Sequence, residues 1–353
     1  MKVRHIVVHP APPAGGELHA AVARRLVGQT AALEAIIPYV QMYQAGLSPE
    51  GRPAGVFLML GPTGTGKTRT VEVLAEVLHG SAKKLLRVDC GEFQMEHEVA
   101  KLIGAPPGYL GHRETQPMFT QQKLNAAASE GNDLTLVLLD EIEKAAPSMT
   151  RLLLGILDKA VLRLGDNTTV NFEKALIFMT SNLGARNIRR EMHPDFGFEA
   201  LVPREAANRK QKLENVGLSA VRKKFTPEFV NRIDSVITYQ PLEPAALAAI
   251  LDQNLLDLQA HLDRRLGPRS FRLEISLATR RLLLRLGTSD EYGARELKRT
   301  LHRQIIQPLA SMLAAGEIPP GLCVRAEVNA LRTRVVMRVE ARDGVSPLPE
   351  WQP

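Results

Sequence analysis

One stretch constrains the fold of this chain more than any other. Residues 56–60 form a continuous apolar run, and a glycine-rich turn and Lys67-Thr68 follow it directly. An apolar run bounded by a turn is typical of a parallel strand that is buried on both faces. Apolar residues then recur at helical spacing, at Val71, Leu74, Ala75 and Leu78. With Gly80 where a helix C-cap is expected, the stretch predicts a strand, a tight turn and a helix in succession.

The turn matches the pattern G-x-x-x-x-G-K-[ST]. Glycines let the backbone curl so that successive N–H groups point at phosphate oxygens, and the following helix adds its positive N-terminal end. Lys67 is expected to bring a full charge to the β- and γ-phosphates, and the Thr68 hydroxyl to ligate Mg²⁺. The predicted phosphate-binding residues are Gly61, Pro62, Thr63, Gly64, Thr65, Gly66, Lys67 and Thr68. The turn therefore predicts a nucleoside-triphosphate site.

A second apolar run, residues 136–139, ends in two carboxylates, Asp140 and Glu141. A phosphate-binding turn needs a second Mg²⁺ anchor at the end of a neighbouring strand, and Asp140 suits that role. Glu141 projects one residue further, where it can orient and deprotonate an attacking water. The alternative is a pair of helix N-cap acids ahead of Pro147, which explains neither their adjacency nor the buried strand before them. The pair therefore favours hydrolysis of the bound triphosphate.

Apolar runs alternate with helical patterns through the first two thirds of the chain. The predicted strands are Val56–Leu60, Leu85–Val88, Leu134–Leu139, Leu176–Met179 and Ser235–Tyr239. This alternation predicts an α/β fold with a five-stranded parallel sheet flanked by helices on both faces. Ahead of the sheet we expect a helix over Glu17–Leu26 and a second one that runs from its N-cap, Thr30, to about Ala45.

Beyond Pro241 the sequence becomes rich in helical patterns, leucine and arginine. The predicted elements are helices Ala245–Leu266, Leu277–Leu286 and Ala294–Ala315 and a strand pair around Cys323–Val328 and Arg334–Val339. We therefore expect a flexible arm at 1–16, a large α/β nucleotide-binding domain at 17–240, a small helical domain with a short terminal sheet at 241–341, and a tail at 342–353.

Composition excludes several classes of protein. The net charge of +7 is dispersed, aromatic residues make up only 5%, and no basic stretch is interleaved with them, which disfavours a nucleic-acid platform. No run approaches the roughly 18 apolar residues that a membrane span needs. The N-terminal residues lead into only a short apolar patch, which disfavours a secretory signal. Cys90 and Cys323 lie far apart in unrelated contexts, which disfavours a disulfide or a metal site. We therefore expect a cytoplasmic chain with reduced thiols.

Three motifs together resemble the AAA+ ATPases of the Clp family. They are Gly61–Thr68, Asp140–Ala145 and Thr180–Asn182, and they are most similar to the second ATPase module of ClpB, ClpC and ClpA. The resemblance runs from roughly residue 18 to residue 339, with the motifs in the family's order. It implies the AAA+ P-loop fold, ATP hydrolysis with Mg²⁺, a homo-oligomeric ring, expected to be a hexamer, and polypeptide substrates.

The resemblance assigns further roles to matching positions in the large domain. Val27 and Gly28 resemble the stretch that lines the adenine pocket, a role compatible with a helix-breaking glycine before a second helix. Asn182 resembles the sensor-1 residue that positions the hydrolytic water, rather than an ordinary turn residue.

Two arginines carry the remaining catalytic roles that the resemblance implies. Arg232 resembles the arginine finger, which reaches the γ-phosphate of the neighbouring subunit. The alternative for Arg232 is an ion pair with Asp234 in its own chain. Arg295, which follows Tyr292-Gly293-Ala294, resembles sensor 2, which reaches from the small domain onto the nucleotide.

Residues 104–111, Gly-Ala-Pro-Pro-Gly-Tyr-Leu-Gly, resemble the family's pore loop. There Tyr109, next to Leu110, would grip unfolded polypeptide, since tyrosine offers a large amphipathic contact at low entropic cost. The alternative is an exposed loop tip with a buried tyrosine. The family has acidic and glycine-rich residues next, whereas this chain has His112–Pro117, which leaves the substrate preference open.

A second segment partly resembles a docking loop. Phe196-Gly197-Phe198 lies where the protease-coupled members carry a tripeptide that binds the ClpP peptidase, but its first residue is aromatic rather than aliphatic. Docking to a ClpP-like peptidase and packing of the two aromatic rings on their own domain both stay open. No counterpart of the family's N-terminal domain, first ring or middle domain is recognisable, so we expect a stand-alone module.

The resulting hypothesis is an ATP-dependent protein unfoldase or remodelling chaperone. One alternative is a regulatory ATPase subunit of a ClpP-like peptidase. Others are an assembly switch, whose turnover would be slow and unstimulated by protein, and a nucleic-acid motor, whose ATPase would respond to DNA at low salt.

Overall fold

The computed structural model describes residues 15–104, 117–185, 205–289 and 293–340. They divide into two compact units, one ending at Gln240 and the other beginning at Pro241. The helices of the first unit are α1 (Gly15–Ala23), α2 (Thr30–Gln44), α3 (Lys67–His79), α4 (Ala100–Ile103), α5 (Gln121–Ala127), α6 (Pro147–Lys159), α7 (Glu205–Lys224) and α8 (Pro227–Val230). Its strands are β1 (Gly55–Leu60), β2 (Leu86–Asp89), β3 (Thr135–Asp140), β4 (Val161–Arg163), β5 (Thr169–Asn171), β6 (Ala175–Ser181) and β7 (Ser235–Thr238).

All five predicted strands form, in one parallel sheet of order β2-β3-β6-β1-β7. Because the strands are parallel, their carboxyl ends meet at one edge of the sheet, where ligands of open α/β sheets bind. Leu60, the last residue of β1, lies opposite Ser181 of β6 and Thr238 of β7. The chain segments that follow β1, β3 and β6 are therefore neighbours.

The central strand β1 contributes to both faces of the sheet. Val56, Leu58 and Leu60 pack into one core with residues of α6 and α7. Phe57 and Met59 pack into the opposite core with residues of α1, α2 and α3. Every residue of β1 is buried, because successive strand side chains point to opposite faces and both faces are covered.

The segment ahead of the sheet differs from the prediction at its helix boundaries. The first helix spans Gly15–Ala23, and Thr30 is the first helical residue of α2 rather than its N-cap. Gln29 takes the N-cap position, with no side-chain capping bond. Its amide instead donates to the carbonyl oxygens of Thr65 and Gln240, 3.0 Å away in each case. Long-range contacts have here replaced local helix capping.

Two short strands and one helix of the first unit were not predicted from the sequence. The strands β4 and β5 form an antiparallel hairpin in which Leu162 and Val170 are the buried residues. Three-residue strands are too short to show a recognisable period. The helix α7 lies in the stretch between Asn182 and Arg232 to which no element was assigned.

The second unit contains helices α9 (Pro244–Leu266), α10 (Leu277–Gly287), α11 (Ala294–Leu301) and α12 (Gln307–Ala314) and strands β8 (Arg272–Ile275), β9 (Cys323–Val328) and β10 (Val335–Glu340). The predicted strand pair forms as β9 and β10, and β8 joins it in parallel to give the order β10-β9-β8. A π-helical turn over His302–Ile306 separates α11 from α12 within the predicted third helix. Pro308 explains the interruption, because in a regular α-helix its ring would clash with the carbonyl group of the residue four positions earlier.

Among the described residues, no helix combines the length and the apolar character needed to cross a bilayer.

Candidate nucleotide site

The phosphate-binding turn leaves β1 in a conformation that glycine alone adopts easily. Gly61 has φ +141°, and Gly64 and Gly66 also have positive φ, +77° and +104°. A Cβ atom on Gly61 would lie 2.5 Å from the carbonyl oxygen of Tyr239, the residue that follows β7. Gly61 is therefore needed both for its backbone angle and for the close approach of a neighbouring chain segment.

Lys67, the first residue of α3, turns its ammonium group back onto this turn. Its Nζ donates to the carbonyl oxygens of Gly61 (2.6 Å) and Pro62 (2.8 Å) and to Oδ1 of Asn182 (3.0 Å). The side chain is buried, and the Thr65 hydroxyl also donates to Pro62, at 2.9 Å. The ammonium group thus lies at the N-terminus of a helix, where the backbone dipole also favours an anion.

The residues expected at the adenine pocket lie beside the turn. Leu26 and Gln29 are the nearest side chains to the Cβ position of Gly66, at 3.9 and 4.0 Å. Val27 is half-buried, and Gly28 is exposed with φ +77°. The stretch therefore borders the phosphate-binding turn, and Gln29 bonds directly to its Thr65 carbonyl. No role was predicted for Gln29.

Asp140 lies at the end of β3, and protein groups contact both of its carboxylate oxygens. The Thr180 hydroxyl donates to Oδ1 at 2.5 Å, and the Arg87 guanidinium donates to Oδ2 at 2.5 Å. Thr180 belongs to β6 and Arg87 to β2, so the neighbouring strands on both sides orient the aspartate. No role was predicted for Arg87 or Thr180.

Glu141 is held in an unusual backbone conformation. Its φ of +57° lies in the left-handed region, which a residue with a Cβ rarely adopts. Its N–H lies 3.0 Å from Oγ1 of Thr180, and its Oε2 pairs with Nζ of Lys144 at 2.5 Å. This hydrogen bond to Glu141 raises the pKa of Lys144. Glu141 thus ends β3 with a left-handed turn, at the position directly after Asp140.

Asn182 joins the acidic segment to the phosphate-binding turn. Its Oδ1 accepts the bond from Lys67, while its backbone N–H donates to Oε1 of Glu143 at 3.0 Å. Glu143 stands in the Asp140–Ala145 motif, but no separate role was predicted for it. The structure thus brings Lys67, Asn182, Asp140 and Glu141 to the same edge of the sheet.

The side chains predicted to hold Mg²⁺ have suitable donors. Thr68 is half-buried in the first turn of α3, next to Lys67, and its hydroxyl and the Asp140 carboxylate supply hard oxygen ligands of the kind Mg²⁺ prefers. Over the described ranges, no group of three or more His, Cys, Asp or Glu residues could by itself enclose a metal ion. Such a donor set fits an ion that shares its ligands between a few protein oxygens, phosphate and water.

Arg232 forms an ion pair within its own chain, but not with Asp234, the partner considered as the alternative to the arginine finger. Arg232 pairs with Asp158 near the end of α6 at 3.1 Å, and the side chain is 39% exposed. Asp234 instead accepts the Val56 N–H at 2.8 Å and pairs with Arg52 at 3.3 Å. The predicted alternative, a pair between Arg232 and Asp234, is therefore wrong. Asp234 bonds to Val56 at the start of β1 and to Arg52, and it therefore does not pair with Arg232.

The remaining predicted residues are distributed elsewhere. Arg295 is exposed in the first turn of α11, in the second unit. Tyr109, Leu110 and Phe196-Gly197-Phe198 lie outside the described residues.

The two flanks of residues 105–116 are held side by side. Met118 and Phe119 donate backbone bonds to Lys101 and Leu102, both at 3.1 Å. The tip of the β4–β5 hairpin also reaches this place, because the Gly165 N–H donates to the Ile103 carbonyl at 2.8 Å.

Family models and curated proteins match both units of this chain. Residues 52–236 match the family model described as AAA domain (Cdc48 subfamily), and residues 242–326 match the C-terminal, D2-small domain of ClpB protein. The chaperone protein ClpB of Aquifex aeolicus is 38% identical over 308 residues, which cover 87% of this chain and 28% of that protein. ClpB of Pseudomonas putida is 38% identical over 306 residues, covering 87% of this chain and 33% of its own length.

Solved structures show the same relationship. The Hsp104:casein complex of S. cerevisiae in its extended conformation superposes with a TM-score of 0.77 at 27% identity, covering 92% of this chain and 52% of that one. The S. cerevisiae Hsp104-ADP complex gives a TM-score of 0.74 at 27% identity, with 91% and 52% covered. The chain thus spans about a third of the length of the curated relatives it matches and about half of the solved ones. With its large and small units matched in order, the chain belongs to the AAA+ ATPases, as a Clp-type module similar to the second ATPase unit of ClpB.

Proposed function

We propose that this chain is an ATP-dependent protein-remodelling motor, which hydrolyses Mg²⁺-ATP in a homo-oligomeric ring and threads polypeptide through it. The observation that carries the proposal is the 3.0 Å contact between Lys67 and Asn182 beside the acidic pair at the end of β3. This contact joins a phosphate-binding cation to the polar groups that activate water. The Hsp104 relative solved with casein supports a polypeptide as the substrate.

In this proposal the phosphate-binding turn holds the triphosphate before any bond breaks. Backbone N–H groups of 63–67 and the Lys67 ammonium bind the β- and γ-phosphate oxygens. Lys67 must then exchange its bonds with the Gly61 and Pro62 carbonyls for bonds with phosphate. Thr68 and Asp140 would hold Mg²⁺, which neutralises charge that develops on the transferred phosphoryl group.

Glu141 is the proposed general base. It follows the proposed metal-binding aspartate by one residue in a left-handed backbone turn, and its carboxylate would orient a water molecule and take its proton. The pair with Lys144 must loosen for the carboxylate to reach that water. Asn182 is proposed to hold the same water from the β6 side.

The two arginines are proposed to complete the site. Arg232 is half-exposed and is held by Asp158 of its own chain, so its guanidinium is oriented at the surface of the first unit. There it would stabilise the transition state in the neighbouring subunit, which makes the ring a requirement for turnover. Arg295 would also bind the nucleotide, in the role that its resemblance to sensor 2 implies.

Glu141→Gln tests the ATPase part of the proposal. The change removes the base but keeps the size of the side chain, so kcat should fall at least about 100-fold while ATP binding stays within about threefold. Steady-state ATPase assays and a fluorescent ATP analogue measure the two quantities. Glu130→Gln, which removes an exposed carboxylate from a turn, is the matched control and should behave as the wild type. Undiminished turnover in the Glu141 variant would refute the assignment of the base.

Tyr109→Ala tests threading separately from hydrolysis. The variant should keep its ATPase activity but lose ATP-dependent unfolding of a tagged, folded substrate, followed by loss of substrate fluorescence. If unfolding continued at the wild-type rate, Tyr109 would not be the residue that pulls the substrate.

A further inference from the structure

We infer that Glu143 is a positioning residue for hydrolysis, which acts by fixing the backbone of Asn182. This inference rests on the proposed function, because it extends the role proposed there for Asn182. The juxtaposition that carries it is the 3.0 Å bond from the Asn182 N–H to Oε1 of Glu143.

Glu143 is built into the turn that follows the acidic pair. It lies in the single 3₁₀ turn Ile142–Lys144 directly after β3, and Asn182 is the first residue beyond β6. These strands are parallel neighbours in register, with Leu139 opposite Met179, so their ends lie side by side. The Glu143 carboxylate therefore connects the turn that carries Glu141 to the turn that carries Asn182.

The bond to the backbone controls where the Asn182 side chain points. A charge-assisted hydrogen bond is among the stronger ones in proteins, and here it anchors the N–H next to the Asn182 Cα. The next bond along the turn, from the Leu183 N–H to the Ser181 hydroxyl at 3.1 Å, is local and neutral. Loss of the carboxylate would therefore let the turn rotate and move Asn182 Oδ1 away from Lys67.

The two oxygens of the Glu143 carboxylate differ in their contacts, and only Oε1 makes the bond that the inference requires. The second oxygen, Oε2, is buried and has no hydrogen-bond partner among the described residues. A buried carboxylate oxygen without a partner lowers the stability of the fold. Glutamine could accept the same bond without the buried charge, so Glu143→Gln should unfold at no lower denaturant concentration than the wild type.

The test is a double-mutant cycle on ATP turnover with Glu143→Ala, Asn182→Ala and the double variant. Loss of one such bond should lower kcat about tenfold in Glu143→Ala with KM within about threefold. The double variant should match Asn182→Ala within about twofold, because Glu143 acts through Asn182. Glu143→Gln should restore kcat to within about threefold of the wild type.

Glu98→Ala is the matched control for loss of a glutamate that caps a backbone N–H. Glu98 Oε2 accepts the Met95 N–H at 2.9 Å at another 3₁₀ turn of the same unit. Its loss should leave kcat within about twofold of the wild type, since the bond it makes does not reach Asn182.

Hydrogen exchange gives a readout that does not depend on turnover. The Asn182 amide should exchange faster in Glu143→Ala and at the wild-type rate in Glu143→Gln. The inference is overturned if Glu143→Ala keeps wild-type kcat, if the losses of Glu143→Ala and Asn182→Ala multiply, or if exchange at Asn182 does not change. A wild-type chain without ATPase activity would instead count against the proposed function, and exchange would still decide whether Glu143 holds Asn182.

Discussion

Gly61→Ala is expected to destabilise the first unit more than an ordinary glycine substitution. The new Cβ would lie 2.5 Å from the Tyr239 carbonyl oxygen and 3.0 Å from the Tyr239 Cβ. Tyr239 cannot give way easily, because its N–H donates to the Leu60 carbonyl at 2.7 Å. Its fully buried hydroxyl also donates to Thr70 in α3 at 2.7 Å. The clash is therefore with a segment that both the sheet and a helix hold in place.

Two costs add in this variant. A residue with a Cβ at φ +141° costs on the order of 1–3 kcal/mol of backbone strain. Relief of the clash requires β1 and β7 to separate at their ends, an overpacking cost of about 1–3 kcal/mol. We therefore expect the free energy of unfolding to fall by about 4 kcal/mol, the sum of the middle values.

Gly80→Ala is the matched control. Gly80 also has positive φ, +74°, but nothing lies within 4 Å of its Cβ position, so only backbone strain of about 1 kcal/mol should appear. Urea unfolding of the full chain without nucleotide, followed by circular dichroism, measures both variants, and a fluorescent ATP analogue measures binding. If the two variants lost the same free energy of unfolding and Gly61→Ala bound nucleotide normally, the steric argument would be refuted.

Two further predictions concern pH and assembly. Burial, assisted by the charge of Lys84, lowers the pKa of His79 to about 4. The unfolded chain therefore binds a proton below pH 6.5 that the native state excludes, and stability is lost as the pH falls. Between pH 7 and pH 5 the wild type should lose about 2 kcal/mol of unfolding free energy that His79→Gln retains. Urea unfolding at both pH values measures this difference, and equal losses in the two proteins would contradict the assignment. If Arg232 acts in trans, mixing equal amounts of inactive Arg232→Ala and Glu141→Gln subunits should recover about a quarter of the wild-type ATPase activity. A working site needs an intact Glu141 from one subunit and an intact Arg232 from its neighbour, and each is present in half of the cases. A mixture without activity would exclude a shared site.

Local sequence was sufficient for much of the fold. The strands of the large sheet were predictable because runs such as Val56–Leu60 are buried on both faces and therefore continuously apolar. The glycine-rich turn between β1 and α3 was predictable because its glycines and Lys67 stand at a recognisable fixed spacing. The pair β9 and β10 was also predicted, whereas β8, which pairs with β9, was missed.

The sequence by itself thus determined where the strands of the large sheet, the glycine-rich turn and the acidic pair lie. Only the tertiary structure decided the partners of these residues: Glu143 for Asn182, Arg87 for Asp140, and Asp158 rather than Asp234 for Arg232. Periodicity and spacing report the contacts within one element, because those repeat every few residues. The partner of a charged side chain depends on which strands are neighbours and where they end, and no local pattern in the sequence encodes that arrangement.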